Sequence, residues 1–154
     1  MSYEVNPAHL VNLARALAHV VHSGQTRKDG GSATEHVERV AERVAVQRGI
    51  RAEIIALLHD TIEDTSVHDI TLLDIGFPED IVRDVYALTR ETRETYAEFI
   101  ERTIDDGSDD ALYVKLADLQ DNLKHPIQNL ESRYRRAHDQ IIAELLDRQR
   151  RRAA

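Results

Sequence analysis

The stretch Ile54-Ile55-Ala56-Leu57-Leu58 runs without a break into His59-Asp60, and this junction constrains the fold more than any other feature of the chain. A helix is predicted from about Arg51 that is apolar on nearly all sides, so it belongs at the centre of the molecule. A carboxylate placed directly after such a helix is costly to bury unless a partner compensates it. Glu63 and Asp64 follow closely. If the helix continues, Asp60 lies at i, i+3 from Glu63 and at i, i+4 from Asp64, and His59 at i, i+4 from Glu63. Three carboxylates that close repel one another without a cation. A metal ion resolves the conflict, because imidazole nitrogen and carboxylate oxygen become its ligands.

The rest of the chain reads as further helices with short punctuation, and no strand pattern emerges. Asn6-Pro7 forms an N-cap and first-turn proline ahead of a stripe of Leu10, Leu13, Ala14, Leu17, Ala18 and Val21. That helix ends near Ser23-Gly24, and the basic loop Gln25 to Gly31 follows. Ser32 and Glu35 have the spacing of a capping box, opening a helix with Val37, Val40, Ala41 and Val44 on its buried face and Gly49 at its end. One or two turns are expected over Thr71 to Ile75, a helix from Pro78 to about Thr89, and another from Thr95 to Asp106, stopped by Gly107. Asp109 or Asp110 caps the next, which Pro126 terminates. The last begins near Leu130 with Tyr134, Ala137, Ile141, Ile142 and Leu145 on its apolar face.

A second constellation, Lys115-Leu116-Ala117-Asp118-Leu119-Gln120-Asp121-Asn122, places Lys115, Asp118 and Asn122 on one helical face. Leu112, Leu116, Leu119 and Leu123 form the neighbouring stripe, so Asp118 stands at the margin of the core, where a ligand to an internal metal should be.

Composition narrows the function classes. At 154 residues the chain suits one domain, and the absence of cysteine excludes disulfides and thiolate metal sites. No apolar run approaches the roughly 20 residues that span a bilayer. Met1-Ser2-Tyr3-Glu4 lacks the basic and apolar start of a secretion signal, so a cytoplasmic location without membrane attachment is expected. The formal charge of −8 argues against a general nucleic-acid binder but leaves room for a small anionic ligand at a local cationic site. The basic run Arg148 to Arg152 reads as a solvated helix end that complements the helix dipole.

Taken in order, "VHSGQTRKDG", "EHVERVA", "ALLHDTIEDT" and "VKLADLQDN" resemble the motifs of RelA/SpoT-type alarmone hydrolase domains, members of the HD superfamily. The resemblance runs from about Leu17 to Asn122. It implies an all-α, single compact HD-domain helical bundle over residues 1–154, with a motif core at about 17–123 and a covering helix at about 130–152. It implies removal of pyrophosphate from the 3′ position of (p)ppGpp with manganese, Mn²⁺, as cofactor. It assigns His36, His59, Asp60 and Asp118 as metal ligands, and Glu63 and Asp64 as the acidic pair that positions or activates water. Arg27 and Lys28 match the basic pair near the nucleotide, Asn122 matches an asparagine that contacts it, and Lys115 lies close enough to help bind phosphate.

The chain departs from that pattern in places. The family usually has Pro-Tyr before the metal histidine and proline after it, where this chain reads Ala33-Thr34-Glu35-His36-Val37. The family's common arginine after Lys-Leu-Ala-Asp is Leu119 here, and its usual histidine is Asp121. Losing a basic residue and gaining an acidic one implies a different or smaller anionic ligand. Two alternatives therefore stand beside the 3′-pyrophosphohydrolase: an HD phosphatase for another phosphorylated nucleotide, and a nucleotide-binding module without turnover. A small phosphorylated nucleotide is the expected partner in each case. The last helix also has enough apolar surface to help form a homo-oligomer, although covering the core is its simpler role.

Overall fold

The computed structural model describes residues 6–124, 127 and 129–154. The N-terminal Met1 to Glu4 and Pro126, the expected helix stop, lie outside them. Nine helices occur among the described residues: α1 (Pro7–Val21), α2 (Ala33–Arg48), α3 (Ile50–Leu58), α4 (Thr61–Asp64), α5 (Asp69–Ile75), α6 (Glu79–Leu88), α7 (Tyr96–Asp106), α8 (Asp109–Asn122) and α9 (Glu131–Ala153). No described helix is long and apolar enough to cross a membrane.

Helix α3 occupies the centre, as its apolar circumference requires. Ala52 and every residue from Ile54 to Leu58 are buried, and the helix packs against α1, α2, α6 and α8. Gly49 makes the sharp passage from α2 into α3 with φ of 83°, a left-handed conformation that suits glycine. The helix does not continue through His59. Helix α3 stops at Leu58, and the separate single turn α4 carries Glu63 and Asp64. Asp60 is its N-cap, with ψ of −4°, and this local turn redirects the acidic pair.

Helix α8 separates two apolar clusters. Its Ala111, Val114 and Ala117 join the large core built on α1, α2, α3 and α6. Its Leu112, Leu116 and Leu119 join a smaller cluster with Phe99 and Ile100 of α7 and Ala137, Ile141 and Leu145 of α9. Asp118 thus lies at the seam between two hydrophobic bodies. Helix α9 covers the second of them, although Ile142, expected on its buried face, is partly exposed.

Several helix boundaries differ from expectation for local reasons. Ser32 caps α2 by accepting from Glu35 N, but the reciprocal half of the box is absent; the Glu35 carboxylate lies 4.0 Å from Arg39 instead. The complete capping box belongs to Thr95 and Glu98 at the start of α7. Ser108, rather than an aspartate, caps α8. Asp109 and Asp110 occupy the first turn of α8, where negative charge is favoured, and pair with arginines of α9, α2 and α3. Gly107 precedes this cap because a Cβ there would come within 2.6 Å of the Thr103 carbonyl oxygen.

Removing the side chain of Leu57, which is fully buried in α3, leaves a cavity that rigid neighbours on all sides cannot close. Leu57→Ala should destabilise the fold by about 3 kcal/mol in urea unfolding. Ile70→Ala, at a position 58% exposed on α5, should change stability by less than about 0.5 kcal/mol.

Candidate metal centre

Two histidines and an aspartate converge where α2 meets the end of α3. One donor atom from each of His36, His59 and Asp60 lies within 4.8 Å of the others. Both imidazoles are buried, and their rings meet edge-on with centroids 5.4 Å apart. Helix α8 brings in a second carboxylate, with Asp118 Oδ1 at 3.3 Å from His36 Nε2. Asp118 stands beside His36 rather than within the close trio. All four expected ligands therefore face one another across three helices.

The hydrogen bonds determine how each ring is presented. His59 Nδ1 lies 2.6 Å from the Ala56 carbonyl oxygen, which can only accept, so Nδ1 carries the hydrogen. In the neutral ring, Nε2 is then a bare lone pair. It is buried without a hydrogen-bond partner among the described residues, and Asp60 Oδ1 lies 3.2 Å away. His36 has the same arrangement, with Nδ1 at 2.8 Å from Asp121 Oδ2 and Nε2 turned towards Asp118 and Asp60. Lone pairs of nitrogen and oxygen that converge in a buried space repel until a proton or cation lies between them. This donor set of imidazoles and carboxylates, each histidine anchored through its other nitrogen, fits a divalent cation such as manganese, iron or zinc.

Without a metal, a proton takes over part of that task. Burial works against charging His36, but the carboxylates of Asp118 and Asp121 outweigh it and push its pKa up to about 9. Asp118 is also buried, yet Lys115 and His36 hold it well below the usual carboxylate range. Lys115 Nζ donates to Asp118 Oδ2 at 2.8 Å, while Asn122 Nδ2 donates to Asp118 Oδ1 at 2.6 Å. The shared face of Lys115, Asp118 and Asn122 is thus a connected unit.

A cavity of about 470 Å³ opens over this centre, with His36, Asp60 and Asp118 among the residues that line it. Arg27, Lys28 and Lys115 also line it and bring positive charge. Arg27 donates to Asn122 Oδ1, so the basic loop is tied to α8 rather than loose in solvent. Glu63 and Asp64 line the cavity as well. Burial raises the pKa of both from their ordinary values. Glu63 Oε2 accepts from Arg90 N at 2.9 Å, an opposing influence, while Asp60 adds to the upward shift of Asp64.

The remaining wall was not evident in the sequence. Tyr96 of α7 and Tyr134 of α9 lie with ring centroids 5.8 Å apart, and the Arg133 guanidinium stands 4.5 Å above the Tyr96 ring. Tyr96 Oη and Arg133 Nε are buried without hydrogen-bond partners among the described residues. Of these, the sequence marks only Tyr134, as part of an apolar helix face, and nothing in their spacing connects them to the basic loop. Asp121 also differs from expectation. Its carboxylate is 3% exposed and is taken up by His36, Arg39 and Lys124. The acidic residue therefore adds no free negative charge to the ligand wall, and of the two departures only the loss of the basic residue at Leu119 bears on the ligand there.

No protein-family model matches this chain, and no curated protein matches it in sequence. Among solved structures, it is similar to a metazoan ortholog of SpoT described as hydrolysing ppGpp and playing a role in starvation responses. The TM-score is 0.73 at 24% identity, over 92% of this chain and 88% of the other. The chain shares the all-helical fold of that neighbour.

The His36 pKa implies a stability signature in the metal-free protein. A folded-state pKa raised from 6.5 to about 9 stabilises the fold fully below pH 6.5, and the contribution is lost as pH rises towards 9. Thermal melts in chelator should show Tm falling across that window, and His36→Gln should remove most of the fall. A wild-type Tm that is flat across the window would contradict the assigned contacts.

Proposed function

We propose that this protein is a metal-dependent phosphohydrolase that acts in the cytoplasm on a small nucleotide carrying a 3′-diphosphate, of the (p)ppGpp type. The observation that carries the reading is the unpartnered Nε2 of buried His59, facing Asp60 beside His36 at a cavity with cationic walls. Likeness of fold to a protein described as hydrolysing ppGpp supports the substrate class. His36, His59, Asp60 and Asp118 would hold one divalent ion, with manganese as the proposed native metal. When bound, that ion supplies Lewis-acid polarisation of a phosphoryl oxygen and makes water more acidic.

The chain's own residues supply the rest. Arg27, Lys28 and Lys115 neutralise the phosphates and hold the reacting phosphorus in place, where positioning and charge stabilisation dominate the chemistry. Tyr96, Tyr134 and Arg133 offer stacking surface and two free donors to the remainder of the nucleotide. In the reaction, a water oxygen bonds to the phosphorus attached to the ribose 3′-oxygen, and the bond from that phosphorus to the 3′-oxygen breaks. The 3′-oxygen takes up a proton, giving a free hydroxyl and pyrophosphate. Glu63 and Asp64 are the groups placed to accept and steer the water's proton. Their raised pKa makes them better bases than ordinary surface carboxylates.

Purified protein supplied with Mn²⁺ and ppGpp should release pyrophosphate. His59→Ala should abolish turnover, and Glu63→Gln should lower kcat by about 10²- to 10⁴-fold with a smaller effect on KM. Release of orthophosphate would reassign the enzyme to phosphatase chemistry. Metal-loaded protein that binds ppGpp and leaves it intact, with Glu63→Gln indistinguishable from wild type, would show a binding module.

A further inference from the structure

We propose that Asp121 is a positioning residue for the cation, holding the His36 ring so that Nδ1 carries the hydrogen and Nε2 presents its lone pair to the metal centre. The proposal rests on the metal-site reading given above. His36 and Arg39 lie three residues apart on α2, and both reach across to Asp121 on α8. His36 Nδ1 donates to Oδ2 at 2.8 Å. Arg39 grips the carboxylate from two sides, Nε to Oδ1 at 3.0 Å and Nη2 to Oδ2 at 2.8 Å. Lys124 Nζ adds a bond to Oδ1 at 3.0 Å. Arg27 Nη1 stands 3.6 Å from Oδ2, so the basic loop also faces this carboxylate.

This arrangement selects one tautomer. With the hydrogen on Nε2, the Nδ1 lone pair would press against a carboxylate oxygen 2.8 Å away, while the Nε2–H would occupy the side facing Asp118 and Asp60. With the hydrogen on Nδ1, Asp121 is satisfied and the lone pair converges with the other ligands. The two cations that hold Asp121 in place fix the plane of the carboxylate, and through it the tilt of the ring. A hydrogen bond to the nitrogen that faces away from the metal both orients a histidine ligand and strengthens it as a donor.

Asp121→Asn tests the assignment because the amide keeps the shape and loses the symmetry. Its NH₂ group must face either His36 Nδ1 or the donors Arg39 Nε and Lys124 Nζ, and each choice sets donor against donor. Calorimetric titration should show Mn²⁺ affinity about 10- to 100-fold weaker than wild type. In ¹⁵N spectra of the zinc-loaded wild type, His36 should show a protonated Nδ1 and a metal-bound Nε2, and the variant should lose that single state. If Asp121→Asn does not fold, Arg39→Met removes the bidentate grip while leaving the carboxylate, and should weaken Mn²⁺ binding about tenfold. Unchanged affinity in a folded variant, or zinc bound through Nδ1 in the wild type, would overturn the assignment, even if Tm fell. A wild type that bound no divalent metal would overturn the metal-site reading and this proposal with it.

Discussion

The structure depends on the convergence of nitrogen and oxygen lone pairs in the largely buried space between α2, α3 and α8. His59 caps a helix whose last five side chains, Ile54 to Leu58, are all apolar, and its Nε2 points at a carboxylate rather than at a donor. His36 repeats the arrangement from the opposite side. Packing alone would not favour this placement, because burying such groups costs free energy that better-packed apolar residues would not. A cation converts the repulsion into ligation and makes the buried polar cluster consistent with the core around it.

Charge pairs elsewhere keep the helices that carry these ligands in register. Arg51 of α3 meets Asp84 of α6 at 2.8 Å and Asp110 of α8 at 3.1 Å, so one guanidinium joins three helices at the end away from the ligands. Asp84 also accepts from Ser108 N at 2.9 Å, which fixes the start of α8 and therefore the rotation of Asp118 further along. Arg15 of α1 reaches Glu53 of α3 at 2.8 Å and Glu38 of α2 at 3.1 Å. The ligands are thus carried on helices braced at both flanks, and a site that must hold a metal to fractions of an ångström needs that rigidity.

Much of the fold was legible in the sequence because it depends on local pattern, whereas the proposed ligand set came from the family resemblance. The apolar helix ending in His59-Asp60, the Lys115-Asp118-Asn122 face and the helix starts at Asn6 and Thr95 follow from spacing within a few residues. What was not legible depends on residues far apart in the chain. The Tyr96, Arg133 and Tyr134 wall forms because α7 and α9 both pack on α8, which no local spacing records. The partners of Asp121 were hidden for the same reason: Arg39 and His36 lie 82 and 85 positions earlier. The break between α3 and α4 was hidden by a sequence whose helical spacing continues through it, although the backbone turns at Asp60.

The content of divalent metal per chain bears most directly on this picture. Protein purified without chelator and reconstituted with Mn²⁺ should hold one ion per chain by elemental analysis after removal of free metal. His59→Ala, with its helical circular-dichroism spectrum intact, should hold essentially none. A wild type that retains no metal, or a His59→Ala variant that retains as much as wild type, would contradict the claim that the buried histidines and carboxylates exist to bind a cation.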